Sequence, residues 1–287
     1  MISKKQLMVE TDGLLSLKGL VEVYEEVAAG RMQKVRGAVL QSRQFLEGLL
    51  VIFAKIKSAY INDSNKQMTT RVKNNRTAAV FISANSRLYG DIVDRTFNSF
   101  VDYTKTNKPD VVVLGKLGLS LMADRLPGVL FNYFDFSDDK VEMESFEIIM
   151  RYLLQFEKIL VFYGQFKTIL SQEPVITSVS GDAISAVNQQ NSDSSGKKIV
   201  KQYIFEPSLE VISKVFEGEI LASVFEQTLH ESQLSKYASR MLALDRSIDN
   251  IEKRLLEVRS EGVRLKHKSF NKKQLSTFSG VSLWTNG

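Results

Sequence analysis

The residue types that most often carry enzymatic chemistry are scarce in this chain of 287 residues. It contains no cysteine, which excludes thiol catalysis, disulfide bonds and metal sites built on cysteine ligands. Its two histidines, His230 and His267, are far apart in sequence, and neither lies in a cluster with carboxylates and a second histidine. A histidine-based metal site or a Ser-His-Asp triad is therefore not expected. We predict no catalytic residue, no metal and no cofactor.

Phosphate-binding loops are the next candidates, and the sequence contains neither Gly-x-x-x-x-Gly-Lys-Ser/Thr nor Gly-x-Gly-x-x-Gly after a strand-like segment. The nearest sequence is Gly-Lys-Leu-Gly at 115–118, which is compatible with phosphate binding or with a turn that starts a helix. A carboxylate pair at 138–139 lies in a polar stretch. We expect a solvated turn there rather than a general acid or base.

Positive charge is concentrated in one segment. Residues 253–273 contain eight lysines and arginines and two glutamates, a surplus of +6 in a chain whose total charge is +5. Such a surplus favours an acidic protein surface, a nucleic acid or an anionic membrane as partner. Cations also stabilise the C-terminal end of a helix, so a solvated basic helix face is a second interpretation. The interleaved aromatic residues of single-strand binders are missing.

Two proline-free ends must position these groups, since none of the four prolines lies in the first 108 or the last 80 residues. Steps alternating between three and four residues from Leu14 reach eleven apolar residues in thirteen positions. The predicted N-terminal seam consists of Leu14, Leu17, Val21, Tyr24, Ala28, Arg31, Val35, Ala38, Ser42, Phe45, Leu49, Ile52 and Ile56. An average spacing of 3.5 residues predicts a coiled coil.

The C-terminal end repeats this spacing, with nine apolar residues in ten positions. This seam consists of Leu234, Tyr237, Met241, Leu244, Ile248, Ile251, Leu255, Val258, Gly262 and Leu265. The two segments most simply pair antiparallel around a domain that joins them, although each seam could also be the buried face of an ordinary helical bundle. Five glycines in the first segment weaken helix propensity, so we expect close contacts, a bend or a later helix start there.

Between these ends, short apolar runs at 78–83, 111–115 and 159–163 predict buried strands, and 91–103 and 145–157 predict helices. This alternation indicates a parallel sheet. A polar loop at 182–198 and a possible strand at 201–205 follow.

The predicted fold is α/β with a long antiparallel α-helical coiled coil, in which a Rossmann-like central domain is inserted between the N- and C-terminal helices. The predicted domains are a coiled-coil helix at 1–62, an α/β domain at 74–206 with the polar loop 182–198, and a second coiled-coil helix at 207–284.

Three segments resemble one protein family. They are SKYASRMLALDRSIDN at 235–250, VAAGRMQKVR at 27–36 and SANSRLYG at 83–90, supported by the strand VVVLGKLG and a turn at 171–174. The family is the gamma subunit of rotary F-type ATP synthases, the central stalk that turns inside a ring of alpha and beta subunits. The resemblance extends over essentially the whole chain.

The sequence departs from this family where the rotor meets the ring. Residues 20–26 (LVEVYEE) carry three glutamates where the family has a basic run. The family's Arg-Gln pair, which reaches the beta subunits, is Lys266-His267 here, and its Thr-x-Glu is replaced by the residues at 271–273. The resemblance therefore implies altered torque contacts on a shared fold.

The resemblance implies a non-catalytic rotor that couples ion-driven rotation to ATP synthesis or hydrolysis. Its implied partners are the alpha and beta subunits, an epsilon-type subunit and a membrane rotor ring, with no nucleic acid and no direct membrane insertion. Its implied place is the cytoplasmic side, peripheral to the inner face of the cell membrane. The candidate ring-facing residues are Arg31, Lys34, Arg36, Arg240, Arg264, Lys266, His267 and Lys268. Two alternatives stay open: a shaft or scaffold of a related ATPase with another output, and a coiled coil that binds nucleic acid.

Overall fold

A computed structural model describes residues 4–64, 74–179, 206 and 208–285, without the side chains of 57–64, 209–210 and 279–285. The helices are α1 (Lys4–Ser64), α2 (Ile92–Asn107), α3 (Lys116–Arg125), α4 (Met143–Leu153) and α5 (Leu209–Thr285). The strands are β1 (Thr77–Ile82), β2 (Asp110–Leu114), β3 (Phe131–Phe134), β4 (Lys158–Phe166) and β5 (Gln172–Ser178). The predicted loop at 182–198 and strand at 201–205 lie outside the described residues.

The chain divides into two compact units, one comprising 28–240 and the other comprising 1–27 with 241–287. We call them the sheet unit and the helical unit. Both long helices contribute to each of them. The three predicted domain ranges remain a prediction.

The sheet unit contains one five-stranded sheet in the order β3-β2-β1-β4-β5. The first four strands are parallel, and β5 pairs antiparallel with β4. Val80 of β1 lies opposite Val112 of β2 and Val161 of β4, so three β-branched residues cross the middle of the sheet. The order of the parallel strands is that of a doubly wound sheet, which confirms the predicted Rossmann-like layer.

Helices cover both faces of this sheet. On one face, Phe97 and Phe100 of α2 contact Phe81 of β1, with ring centroids 5.2 and 5.4 Å apart. On the other face, buried residues of α4 pack together with Leu221, Phe225 and Leu229 of α5. The middle of α5 is thus part of the core of the sheet unit.

The three predicted strands and two predicted helices are confirmed with small shifts at their ends. The sequence analysis missed β3, α3 and β5. The predicted turn at 171–174 is wrong, because β5 begins at Gln172 and includes Pro174, which β5 tolerates as the last strand at this side of the sheet. β3 was missed because it has only four residues and none of them is fully buried.

The predicted C-terminal seam is confirmed, since all ten of its residues are buried or half-buried. The predicted N-terminal seam is half right. Eight of its thirteen positions, 14, 21, 28, 35, 38, 42, 49 and 56, are buried or half-buried, but Leu17, Tyr24, Arg31, Phe45 and Ile52 are exposed. At each of these five places the buried or half-buried residue is the next one along the chain, at 18, 25, 32, 46 or 53.

The physical reason for this one-residue error is that two of the sheltered positions carry charge. Lys18 and Glu25 occupy the seam, and long charged side chains can cover apolar surface with their stems while their heads remain polar. In the helical unit, Lys18 bonds to Glu252 at 2.6 Å, and Arg254 bonds to Glu10 at 2.7 Å. These two ion pairs join α1 and α5 beside the seam.

The α1 glycines make no close contact, contrary to the first expectation. A Cβ placed on Gly13, Gly19, Gly30, Gly37 or Gly48 meets no atom within 4 Å, and the helix continues through all five. By contrast, a Cβ on Gly164 of β4 lies 2.6 Å from Ile92 and 2.9 Å from the hydroxyl of Ser235. Packing therefore requires a glycine at position 164 but not at the five α1 positions.

Among the described residues, no helix is long and apolar enough to cross a membrane.

We expect Gly37→Ala to raise the free energy of unfolding by up to about 1 kcal/mol, because alanine favours the helix and its methyl group enters open space. Thermal unfolding followed by circular dichroism measures the change. Gly164→Ala is the matched control and lowers the melting temperature through its clash with Ile92. Equal effects of the two variants contradict this account of the glycines.

Candidate functional site

The carboxyl ends of parallel strands are where α/β proteins usually bind ligands. In the sheet unit this edge is formed by the segments that follow β1, β2 and β3. These segments contain the family-like sequence at 83–90, the Gly-Lys-Leu-Gly sequence at 115–118 and the carboxylate pair at 138–139. The structure therefore brings together the three candidates for chemistry in the middle of the chain.

The first backbone amides of α3 are already occupied by protein acceptors. The N–H of Lys116 donates to the Asn85 side chain at 2.8 Å, and that of Gly118 donates to the Ser83 hydroxyl at 2.9 Å. The N–H of Leu117 donates to the Ala84 carbonyl at 2.7 Å. A phosphate needs such amides free. The sequence at 115–118 is thus a helix start, the second of its two interpretations.

Asp138 is buried, contrary to the expected solvated turn. Its carboxylate lies 3.0 Å from the Lys236 ammonium, and the two side chains are only 9% and 7% exposed. The other carboxylate oxygen accepts the backbone N–H groups of Asn85 at 2.7 Å and Ser86 at 3.0 Å. Lys236 also donates to the Ser83 carbonyl at 3.0 Å. Lys236 of α5 thus binds Asp138 and Ser83 directly, and Asp138 in turn binds the backbone of Asn85 and Ser86.

Burial opposes ionisation of Asp138, but the Lys236 charge and the hydrogen bonds from Lys236, Asn85 and Ser86 outweigh it and lower its pKa. A general acid needs the opposite shift. The cavity beside the pair measures about 10 Å³, too small for a substrate. This carboxylate is therefore structural.

Asp139 joins the same loop to both long helices within the sheet unit. Its Oδ1 accepts a hydrogen bond from Tyr237 of α5 at 2.6 Å and lies 2.5 Å from Arg31 of α1. Burial, followed by the hydrogen bond to Asp139, raises the pKa of Tyr237, so its hydroxyl remains a donor at neutral pH. One carboxylate thus fixes α1 and α5 to the same point.

Arg240 holds the segment after β1. Its guanidinium donates to the carbonyls of Arg87 at 2.9 Å and Leu88 at 3.1 Å, and to the Ser86 hydroxyl at 3.1 Å. The guanidinium carbon also lies 3.9 Å from the centre of the Tyr89 ring, within cation–π range. This arginine therefore connects α5 to four successive residues.

A second connection between α1 and α5 lies elsewhere in the sheet unit. Glu231 of α5 is buried and accepts hydrogen bonds from Arg43 at 2.8 Å and Gln227 at 3.1 Å. The Tyr163 hydroxyl of β4 lies 3.3 Å away. Burial raises the pKa of Tyr163 to about 12, so it stays a neutral donor. Among the described residues, no group of three His, Asp or Glu could hold a metal ion.

The eight ring-facing candidates fall into two groups. Arg31 and Arg240 are bound to residues of the sheet unit, as described above. The other six make no contact described above and are exposed on the two long helices; they are Lys34, Arg36, Arg264, Lys266, His267 and Lys268. Whether any of the eight contacts a ring remains a prediction.

The sequence analysis missed Lys236, the cation on which this site depends. The sequence alone carries no signal for it, because the seam count passes through positions 234 and 237 on either side. The run of nine buried positions that contains Lys236, 231–239, is visible only in the structure.

We expect Lys236→Met to destabilise the protein by about 3–5 kcal/mol, because Asp138 is then a buried charge without its cation. The double variant Lys236→Met/Asp138→Asn loses less, since no charge stays buried. The lowered pKa of Asp138 means that its contribution is present above the ordinary value near 3.8 and is lost as the pH falls through the lower folded-state value. Melting temperatures of the three proteins between pH 7 and pH 3 test the cost of the unpaired charge and its pH dependence. A double variant as unstable as the single variant contradicts the ion-pair explanation.

Comparison with known proteins agrees with this fold and with the family resemblance. The ATP synthase gamma chain of Cytophaga hutchinsonii is 22% identical over 302 aligned positions and covers 100% of both chains. That of Ruthia magnifica is 24% identical over 275 positions, covering 90% of this chain and 91% of its own.

Solved structures show the same fold. The central stalk and c-ring structure of the Tetrahymena thermophila mitochondrial ATP synthase contains a chain with a TM-score of 0.55 and 19% identity, covering 79% of this chain and 99% of its own. A chain of the Euglena gracilis mitochondrial ATP synthase has a TM-score of 0.51 and 14% identity, with coverages of 88% and 94%.

The family model described as ATP synthase matches residues 10–264. Because this match spans well over half of the chain, the protein belongs to that ATP synthase family, in which the curated relatives named above are gamma chains.

Proposed function

We propose that this protein is the rotating shaft of an F-type ATP synthase, a central-stalk subunit without a catalytic site of its own. Its rotation couples proton or sodium flow to ATP synthesis or hydrolysis in a ring of alpha and beta subunits. Family membership supports the central-stalk role. The blocked sheet edge fits a subunit that performs no chemistry, since its α3 amides and its buried carboxylate are bound by the protein itself.

The observation that carries this proposal is the pairing of α1 and α5 in the helical unit. A shaft must resist twisting, and the heptad seam with its cross-helix pairs Lys18–Glu252 and Arg254–Glu10 supplies a stiff two-helix rod. Past the last seam residue, Leu265, α5 continues to Thr285. Every described side chain from 266 to 278 is exposed. An exposed helix end is suited to contact with surrounding subunits.

The exposed basic candidate residues supply contacts to the ring that are individually weak enough to break as the shaft turns. Lys34 and Arg36 are exposed on α1, and Arg264 and the residues at 266–268 are exposed on α5. Exposed ion pairs are worth only about 0–1 kcal/mol each, so they form and break readily as a shaft turns past acidic loops. Arg31 and Arg240 serve the shaft within the sheet unit, where they bind loops of the sheet to the parts of α1 and α5 that belong to that unit. His267 lies within the same basic end.

The remaining partners follow from the same proposal. The sheet unit lies outside the ring, beside an epsilon-type subunit and the membrane rotor ring, at the cytoplasmic face of the cell membrane. The altered residues at 20–26 and 266–273 favour one second candidate, a related rotary ATPase with an output other than ATP synthesis. The membrane partner distinguishes the two.

We expect native purification of the tagged protein at low salt with Mg-ATP to recover alpha- and beta-type subunits at about three copies each per shaft, identified by mass spectrometry. Membrane-rotor subunits in the same sample make the complex a synthase, and their absence beside an intact ring favours the specialised ATPase. A protein recovered without ring subunits contradicts the shaft proposal.

We expect the triple variant Arg264→Ala/Lys266→Ala/Lys268→Ala to bind the isolated alpha/beta ring up to about 100-fold more weakly at low salt, the loss of three ion pairs of up to about 1 kcal/mol each. The difference shrinks at high salt because screening weakens the same pairs. Binding is measured by surface plasmon resonance at two salt concentrations. The matched control removes three exposed lysines of the sheet unit, at 105, 108 and 140. Equal losses in both variants refute a specific role for the basic end.

A further inference from the structure

The sheet unit contains a cavity of about 230 Å³ that lies between α1, α5 and the strands β4 and β5. It is larger than an engineered apolar cavity of about 150 Å³ that binds benzene. All of the described residues that line it belong to the sheet unit, and none of them contributes to the blocked sheet edge. The cavity is thus a separate candidate site in the same unit.

The cavity is polar at one end and apolar at the other. On α5 it is lined by Glu231, Gln227, Val224 and Ile220, which follow one another in steps of four and three and therefore share one side of the helix. From the first to the last of them the helix rises by about 16 Å. Leu50 of α1 packs with Ile220 at the apolar end. This shape fits a slender molecule with an apolar chain and one polar head.

The carboxylate of Glu231 dominates the polar end, and its side chain is only 6% exposed. Its Oε1 accepts hydrogen bonds from Arg43 at 2.8 Å and Gln227 at 3.1 Å. Its Oε2 lies 3.3 Å from the Tyr163 hydroxyl and 3.5 Å from the Gln165 amide, and both distances exceed those of ordinary hydrogen bonds. Oε2 can therefore still accept a short hydrogen bond from a group in the cavity.

A molecule that binds at this end needs a donor as its head. The neighbouring tyrosine and glutamine donors are directed at Glu231, and the Thr228 hydroxyl donates to the Phe225 carbonyl at 2.7 Å. An anionic head would face the Glu231 carboxylate as a like charge. Arg43 binds the other carboxylate oxygen and is 48% exposed, so water screens its charge. The polar end therefore favours a cation.

We propose that this cavity binds a small primary amine with an unbranched apolar chain, whose ammonium group donates to Oε2 of Glu231 while its chain lies along Val224 and Leu50. The inference does not depend on the proposed shaft function, because the described lining residues belong to the sheet unit alone. A bound amine contacts α1, α5 and β4 together. It therefore stabilises the folded protein and raises its melting temperature.

Three probes that share one chain test the head group. Hexylamine, hexan-1-ol and hexanoate are titrated into the purified full-length protein at pH 7, and ligand-observed NMR gives their dissociation constants. We expect hexylamine to bind at least about tenfold more tightly than hexan-1-ol, because the alcohol donates to the same oxygen without the attraction between opposite charges. We expect no saturable binding of hexanoate.

Two variants locate the bound amine. Glu231→Gln keeps the shape of the side chain but removes its charge, and we expect it to abolish the preference for hexylamine over hexan-1-ol. Glu226→Gln is its matched control, since this glutamate of the same helix is 41% exposed and does not line the cavity. Val224→Phe fills the cavity and abolishes hexylamine binding, whereas Val215→Phe, on an exposed position of α5, leaves it unchanged.

The outcomes decide the inference without reference to the shaft proposal. A preference for hexylamine that disappears in Glu231→Gln but persists in Glu226→Gln supports it. Equal affinities for hexylamine and hexan-1-ol, tighter binding of hexanoate, no saturable binding of any probe, or hexylamine binding that is unchanged in both cavity variants overturns it. Circular dichroism measures whether each variant is folded. If Val224→Phe does not fold, the two glutamine variants decide alone.

Discussion

The ion pair between Lys236 and Asp138 is the interaction on which the rest of the sheet unit depends. It places a cation from α5 at the edge where parallel sheets usually bind ligands, and it bonds there to the segment after β1 and to the loop after β3. Isolated, either charge is too costly to bury, so the pair forms only when α5 lies in its observed register. The neighbouring contacts of Tyr237 and Arg240, one and four residues further along α5, follow from that register.

This arrangement explains how an α/β layer can be a mechanical part. A nucleotide-binding domain keeps helix amides and a cleft free at the sheet edge. Here Asn85 and Ser83 occupy the amides, and Lys236 occupies the edge itself. Because Asp139 also binds Arg31 of α1, both long helices are bonded to one loop of the sheet. A force applied to the layer is therefore transmitted to two helices at once.

Much of the fold was predictable from the sequence, because hydrophobic periodicity reports burial directly. The ten-residue seam of α5 and three of the five strands were predicted at nearly their observed positions. The predicted seam of α1 is wrong by one residue at several of its positions. Lys18 and Glu25 belong to the observed seam, and a count of apolar residues cannot recognise a charged residue in a seam. The site was less predictable. From the sequence, Asp138 is predicted to be a solvated carboxylate, because its partner Lys236 lies 98 residues away. A buried ion pair depends on tertiary contact and leaves no local sequence pattern.

In the helical unit, α1 and α5 differ in the charge of their exposed residues as well as in length. The seam constrains only the residues that face the partner helix, so the outward face of each helix can have its own composition. α1 presents uncharged apolar residues bordered by carboxylates, whereas α5 presents lysines and arginines. Under the proposed shaft function, a rod with one face of each kind cannot make equal contacts with three identical subunits around it. Its orientation then determines which subunit meets which face, so the side chains of the rod supply the asymmetry that the proposed function requires.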